Sequence, residues 1–96
     1  MSYDITIGDE HFNYTYNLSA FFRRFNARPA DWDGKRTDEL AIIIGEALRS
    51  IAGSTEHSLI QHDPDNGWGS WQAATKWLTG VMIACIENPG ETVRAT

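Results

Sequence analysis

The stretch FNYTYNLSAFF at residues 12–22 changes its period halfway along, and that change decides the fold. Phe12, Tyr14 and Tyr16 alternate with Asn13 and Thr15, as a strand with one apolar face requires. Phe21, Phe22 and Phe25 then recur at helical offsets. Ser19 is placed to cap this short helix by accepting a backbone N–H, and Asn17 is the alternative cap a little upstream. Asn13 is expected on the wetter strand face. Asn17, where one period gives way to the other, is expected to bond backbone groups that neither ladder nor helix satisfies. Asn13-Tyr14-Thr15 and Asn17-Leu18-Ser19 also match the N-glycosylation acceptor pattern.

Working outward, Tyr3, Ile5 and Ile7 alternate with Asp4 and Thr6 ahead of a turn at Gly8-Asp9-Glu10. A hairpin with residues 12–16 follows. Downstream, Arg28-Pro29 should end the short helix, because a residue before proline avoids the helical region. Residues 30–35 read as a loop with Trp32 as its anchor. Thr37 is a candidate cap for the next helix, with Asp38 and Glu39 in its first turn. Leu40, Ile43, Ile44, Ala47, Leu48 and Ile51 form its apolar stripe. Gly45 offers a close approach, and Gly53-Ser54 ends the run. A long connection over 54–70 is pinned by Leu59 and Ile60 and turns at Asp65-Asn66-Gly67. A last helix is expected over 71–87, with Trp71, Ala74, Leu78, Val81 and Cys85 inward and Trp77, Met82 and Ile86 flanking. Asn88-Pro89-Gly90 stops it, and residues 92–96 form a final strand.

These elements predict an α+β fold. A small antiparallel sheet, made of the N-terminal hairpin and the C-terminal strand, packs against two long helices and one short helix. Ile44, Leu48, Leu78 and Val81 should face one another across the long helices. The competing arrangement is a mostly helical bundle with a mobile hairpin.

Ninety-six residues fit a single domain. The net charge of -5 comes from 13 acids against 8 scattered bases. No basic stripe exists to follow a phosphate backbone, so nucleic acid is not an expected partner. A basic partner protein is at least as reasonable a match to the charge. Cys85 is the single cysteine. The start MSYDITIGDE lacks a signal-peptide pattern, and LAIIIG at 40–45 is too short to span a bilayer. The expectation is a soluble protein of the reducing cytoplasm, in which the two acceptor triplets are chance matches.

Three groups of residues invite chemistry. His57, His62, Asp63 and Asp65 form a histidine-acid cluster, with zinc as the ion to consider if the loop folds back. Asp63, Asp65 and Gly67 imitate the start of a calcium loop, but Trp71 and Ala74 occupy later ligand positions. The simpler role is a solvated polar loop, and no metal or cofactor is expected. Cys85 on an inward stripe behaves as a small hydrophobe, Ser19 as a cap, and His11 has no evident orienting acid. No phosphate-binding glycine loop, dinucleotide fingerprint or hydrolase elbow is present. The third group mixes aromatic faces with amides: Asn13, Tyr14, Tyr16, Asn17, Trp68 and Trp71. That mixture suits a protein hot spot or a stacking site, and each residue also has a structural reading. The candidate binding residues are Asn13, Tyr16, Asn17, His62, Trp68 and Trp71.

YNLSAFFRRF at 16–25, NGWGSWQAATKWL at 66–78 and ACIENPGETVRA at 84–95 together resemble a family of small uncharacterised proteins of bacteriophages, prophages and bacterial genomes. The resemblance covers most of the chain except 26–36 and 52–62. Many relatives carry proline after the serine of the first motif, where this chain has Ala20. No activity comes with the resemblance. It implies a phage or prophage accessory protein in the cytoplasm of a bacterial host cell.

The functional expectation is therefore a non-enzymatic accessory protein that binds a bacterial host protein, with inhibition as one mode. The alternative is a small-ligand or nucleotide-binding protein that sequesters a signal in a pocket lined by Tyr16, Asn17 and Trp68. A small hydrolase is third. A homodimer is expected, because Trp32, Phe25 and the second flank of the 40–51 helix exceed what one core absorbs.

Overall fold

A computed structural model describes residues 2–64, 67 and 69–96. The alternating N-terminus forms a hairpin. β1 (Ser2–Ile7) and β2 (Glu10–Thr15) pair antiparallel, from Ser2 opposite Thr15 to Ile7 opposite Glu10. Gly8 begins the two-residue turn with φ +58, the left-handed value that tight hairpin turns need at their first central residue. Tyr3, Ile5 and Ile7 are buried, as alternation predicts.

The C-terminal strand β3 (Arg94–Ala95) adds antiparallel to the other side of β1, giving the order β2-β1-β3. It is shorter than the 92–96 expected. Val93 instead donates its N–H to the Lys35 carbonyl at 2.7 Å and accepts from Gly34 N–H at 2.9 Å. The closing segment thus divides its backbone bonds between β1 and the loop ahead of the second helix.

β2 runs through a 3-10 turn (Tyr16–Leu18) into α1 (Ser19–Arg24). The intervening turn moves the cap upstream of the one expected. Thr15 Oγ1 accepts the Asn17 N–H at 3.2 Å, while Ser19 Oγ donates to the Tyr16 carbonyl at 2.6 Å and lies 2.6 Å from the Tyr3 hydroxyl. α1 also ends before Arg28-Pro29. Asn26 adopts φ +56, a region asparagine tolerates better than most residues. Asn26 N–H then bonds the Arg23 carbonyl at 3.2 Å and Ala27 N–H the Phe22 carbonyl at 2.9 Å. This pair of bonds is a Schellman closure.

α2 (Thr37–Ala52) and α4 (Trp71–Glu87) are the two long helices, joined through α3 (Glu56–Ile60). Thr37 is not the cap. It is fully buried in the first turn of α2, and Glu39 reaches back to accept the Arg36 N–H at 3.3 Å. α2 and α4 run antiparallel, since the start of α2 meets the end of α4 through Thr37 and Asn88. Midway, a Cβ on Gly45 would lie 3.9 Å from Met82 Sδ, an ordinary contact, so the two helices do not need the close approach expected of this glycine. α4 in turn covers the sheet, with Phe12 3.7 Å from where a Cβ on Gly80 would stand.

Ile44, Leu78 and Val81 are buried in the joint core, and Leu48 is half-buried against it. Trp32 anchors its loop by stacking on Trp77, with ring centroids 5.8 Å apart and planes 13° apart. One expected anchor, Ile60, and one expected flanking residue, Ile86, turn outward. Both are exposed, because Leu59 takes the inward place on the short α3 and Ala84 and Cys85 take it at the end of α4. No helix among the described residues is long and apolar enough to cross a membrane.

Candidate functional site

A pocket of about 330 Å³ opens where the end of α2, α3 and the start of α4 converge. Leu48, Ile51, Leu59 and Trp71 give it apolar walls, and Ser54, Glu56 and Thr75 contribute polar groups. Thr55 Oγ1 accepts the Ser58 N–H at 3.2 Å and starts α3, which brings Glu56 and Leu59 to the site. Ser70 Oγ accepts the Ala73 N–H at 3.1 Å, and Asp63 Oδ1 accepts the Trp71 N–H at 2.7 Å. Two side chains thus fix the start of α4 and set Trp71 at the pocket wall. Trp71 Nε1 is shielded from solvent and has no hydrogen-bond partner among the described residues.

The residues singled out from sequence do not gather in one place. Of those among the described residues, only Trp71 lines the pocket. Tyr16 packs on Tyr3, with ring centroids 4.3 Å apart. Tyr14 lies 5.4 Å from the Trp77 ring, and its hydroxyl donates to the Ser70 carbonyl at 3.3 Å. Burial pushes its phenol above the ordinary value, partly offset by the bond to Ser70. These tyrosines tie the hairpin to the helices.

Asn13 lies on the wetter face, as expected, but Asn17 does not take the bonding role expected of it. Asn13 is exposed, yet its amide donates to Ser2 Oγ at 2.9 Å, to Asp4 Oδ1 at 2.9 Å and to the Tyr3 carbonyl at 3.3 Å. Asn17 is exposed, and it is its backbone N–H that is held, by Thr15. Thr15 performs the bonding at the strand-helix junction because the 3-10 turn brings its short side chain under the free N–H.

His62 lies between α1 and the connection that follows α3. Its ring meets Phe21 edge-on at 5.9 Å, and Arg24 donates to its Nε2 at 3.2 Å and to the Ser58 carbonyl at 3.2 Å. Desolvation first, and then the Arg24 charge, hold its imidazole below the ordinary value. It is thus the neutral acceptor of a bond that joins α1 to the connection after α3, while the bond to Ser58 joins α1 to α3 itself. Trp68, and with it the pocket of Tyr16, Asn17 and Trp68, lies outside the described residues, as do Asp65 and Asn66 of the expected turn. Gly67, at the end of that turn, has φ +76 and donates its N–H to the Pro64 carbonyl at 3.3 Å.

No group of three or more histidine, cysteine, aspartate or glutamate side chains among the described residues is placed to hold a metal. His57 is exposed on α3, while Asp63 is engaged at the start of α4. Cys85 is buried, and burial pushes its thiol up to about 11, far from a reactive thiolate at neutral pH.

Sequence reading missed Leu48, Ile51, Ala52, Ser54, Glu56, Leu59 and Thr75 as pocket residues. Trp71 and Thr75 are one helical turn apart, as are Leu48 and Ala52, but only the antiparallel register of α2 and α4 joins the pairs. Comparison with protein-family models, with curated proteins and with solved structures finds no match to this chain.

Proposed function

We propose that the protein is a binding module that takes an apolar side chain of another protein into the α2–α3–α4 pocket. The observation that carries this reading is the pocket's make-up: apolar walls from Leu48, Ile51, Leu59 and Trp71 beside one carboxylate among the described residues, Glu56. Its volume of about 330 Å³ suits one large side chain and is at the small end for a free metabolite. Ile60, next to Leu59, is 51% exposed and offers further apolar surface on the same helix. The net charge of -5 and Glu56 favour a partner segment with a basic residue beside its apolar anchor. The resemblance of the YNLS, NGWG and ACIENP segments supports a phage or prophage setting, where the partner is a protein of the bacterial host cell and occupying its surface would inhibit it.

Ala52 is exposed at the pocket and is the position to block. An NMR titration with short leucine-lysine and phenylalanine-arginine peptides should shift the amides of Leu48, Leu59 and Trp71. Ala52→Phe should abolish those shifts without changing the fold. Shifts confined to other surfaces would overturn the reading. A nucleotide or metabolite retained in native mass spectrometry, and displaced by Ala52→Phe, would replace it with the ligand-binding alternative.

A further inference from the structure

We propose that the outward stripe of α2 is an interface with a second copy of this chain. Asp38, Ile42, Gly45 and Arg49 follow one another at steps of four, three and four residues, so they share one line along the helix. Asp38, Ile42 and Arg49 are exposed and Gly45 is half-exposed. The stripe is self-complementary about its midpoint between Ile43 and Ile44. With a two-fold axis there, Asp38 meets Arg49 of the second copy, and Ile42 meets the side-chain-free Gly45. Both contacts then recur in reverse, as an isologous interface demands. An unrelated partner would not require an acid and a base at equal distances from the centre.

α4 widens this surface. Met82 Sδ is 3.9 Å from a Cβ position on Gly45, and Ile86 lies one turn along from Met82. Ile42 is 64% exposed, Ile86 63% and Ile83 48%. These are three of the four large apolar side chains exposed among the described residues. Asp38 accepts the Gly90 N–H at 3.2 Å and pairs with Arg36 at 3.5 Å, yet its side chain stays 57% exposed and available across the axis. The surface differs from the one expected from sequence, since Trp32 and Phe25 are absorbed into the core of the single chain.

Sedimentation equilibrium at tens of micromolar should give a species of twice 10.8 kDa. Ile42→Asp should return it to 10.8 kDa with an unchanged circular dichroism spectrum, because Ile42 lies outside the core. The register has its own test. A mixture of Asp38→Cys and Arg49→Cys chains should form a disulfide-linked dimer under mild oxidation, and neither variant alone should do so. Buried Cys85 does not compete. A wild-type chain that sediments as a monomer overturns the proposal. So does an Ile42→Asp dimer, or cross-linking of either cysteine variant alone as efficient as that of the mixture.

Discussion

The Thr37 hydroxyl donates to the Asn88 carbonyl at 2.8 Å, locking the first turn of α2 to the last turn of α4. Thr37 is the buried polar residue of the core among the described residues, and its N–H is also taken, by the Glu91 carbonyl at 2.9 Å. Asn88 is a junction in its own right. Its amide donates to the Ala84 carbonyl at 2.8 Å and to Glu10 at 3.3 Å, and its Oδ1 would lie 2.7 Å from a Cβ on Gly8. One end of the molecule, where the hairpin turn, α2 and α4 meet, therefore rests on short polar side chains.

Thr37→Val keeps the shape of the side chain and removes the donor. It should destabilise the fold by about 1–3 kcal/mol, the usual cost of leaving a buried acceptor unpaired. Thr37→Ser, which retains the hydroxyl, should recover most of the loss. Urea unfolding midpoints of the two variants check the difference.

Trp32 joins the 30–35 loop to α4 through its stack on Trp77 and is 1% exposed. Trp32→Ala should cost about 3–5 kcal/mol, as large aromatic truncations in a core do. Trp32→Phe should cost clearly less, since a ring still covers Trp77. Guanidinium titrations followed by circular dichroism measure both.

Asn13→Ala should destabilise the protein more than Asn17→Ala. The first change removes three amide contacts that join β2 to β1. They lie at the surface, so the loss should be about 0.5–1.5 kcal/mol. The second removes an exposed side chain at a junction that Thr15 holds. Equal melting temperatures for the two variants would contradict this assignment.

Cys85 should be inert to a disulfide reagent at pH 8 until the protein is unfolded. Its thiol is pushed up to about 11 by burial, against an ordinary value of 9.0. Between those pH values the unfolded chain gives up its proton while the folded chain keeps it. The unfolded state then binds fewer protons, so stability falls as pH rises. Cys85→Ala should flatten this alkaline decline, which unfolding midpoints measured across pH 8–11 will show.

The His62 imidazole should titrate below 6.5 in the folded protein, as read by NMR. The unfolded chain then takes up the proton first as pH drops through 6.5, so this residue lowers stability toward acid. Arg24→Ala should move the folded value upward, because it removes a nearby positive charge and the donor to Nε2. Burial, the larger cause, should keep it from rising fully to the ordinary value.

The sequence by itself determined the hairpin, the short α1, the two long helices and their order, while α3 lay inside a stretch that reads as a connection. Tyr3, Ile5 and Ile7 announced a strand because successive side chains alternate faces, and Leu40, Ile44, Ala47 and Ile51 announced a helix by their spacing. Local chemistry near the junctions was less legible. A strand meeting a helix at Tyr16 does not say whether Thr15, Asn17 or Ser19 takes the free N–H, because each is a short polar side chain within reach. The interposed 3-10 turn settled it for Thr15. Tertiary structure alone decided the pocket and the outward face. Leu48 and Thr75 are 27 positions apart and meet only through the antiparallel register of α2 and α4. Ile42 and Ile43 are adjacent residues of the same type, yet Ile42 is exposed while Ile43 packs against the core. Periodicity marks an apolar stripe, but the angle at which a neighbouring helix lies on it determines which edge is covered.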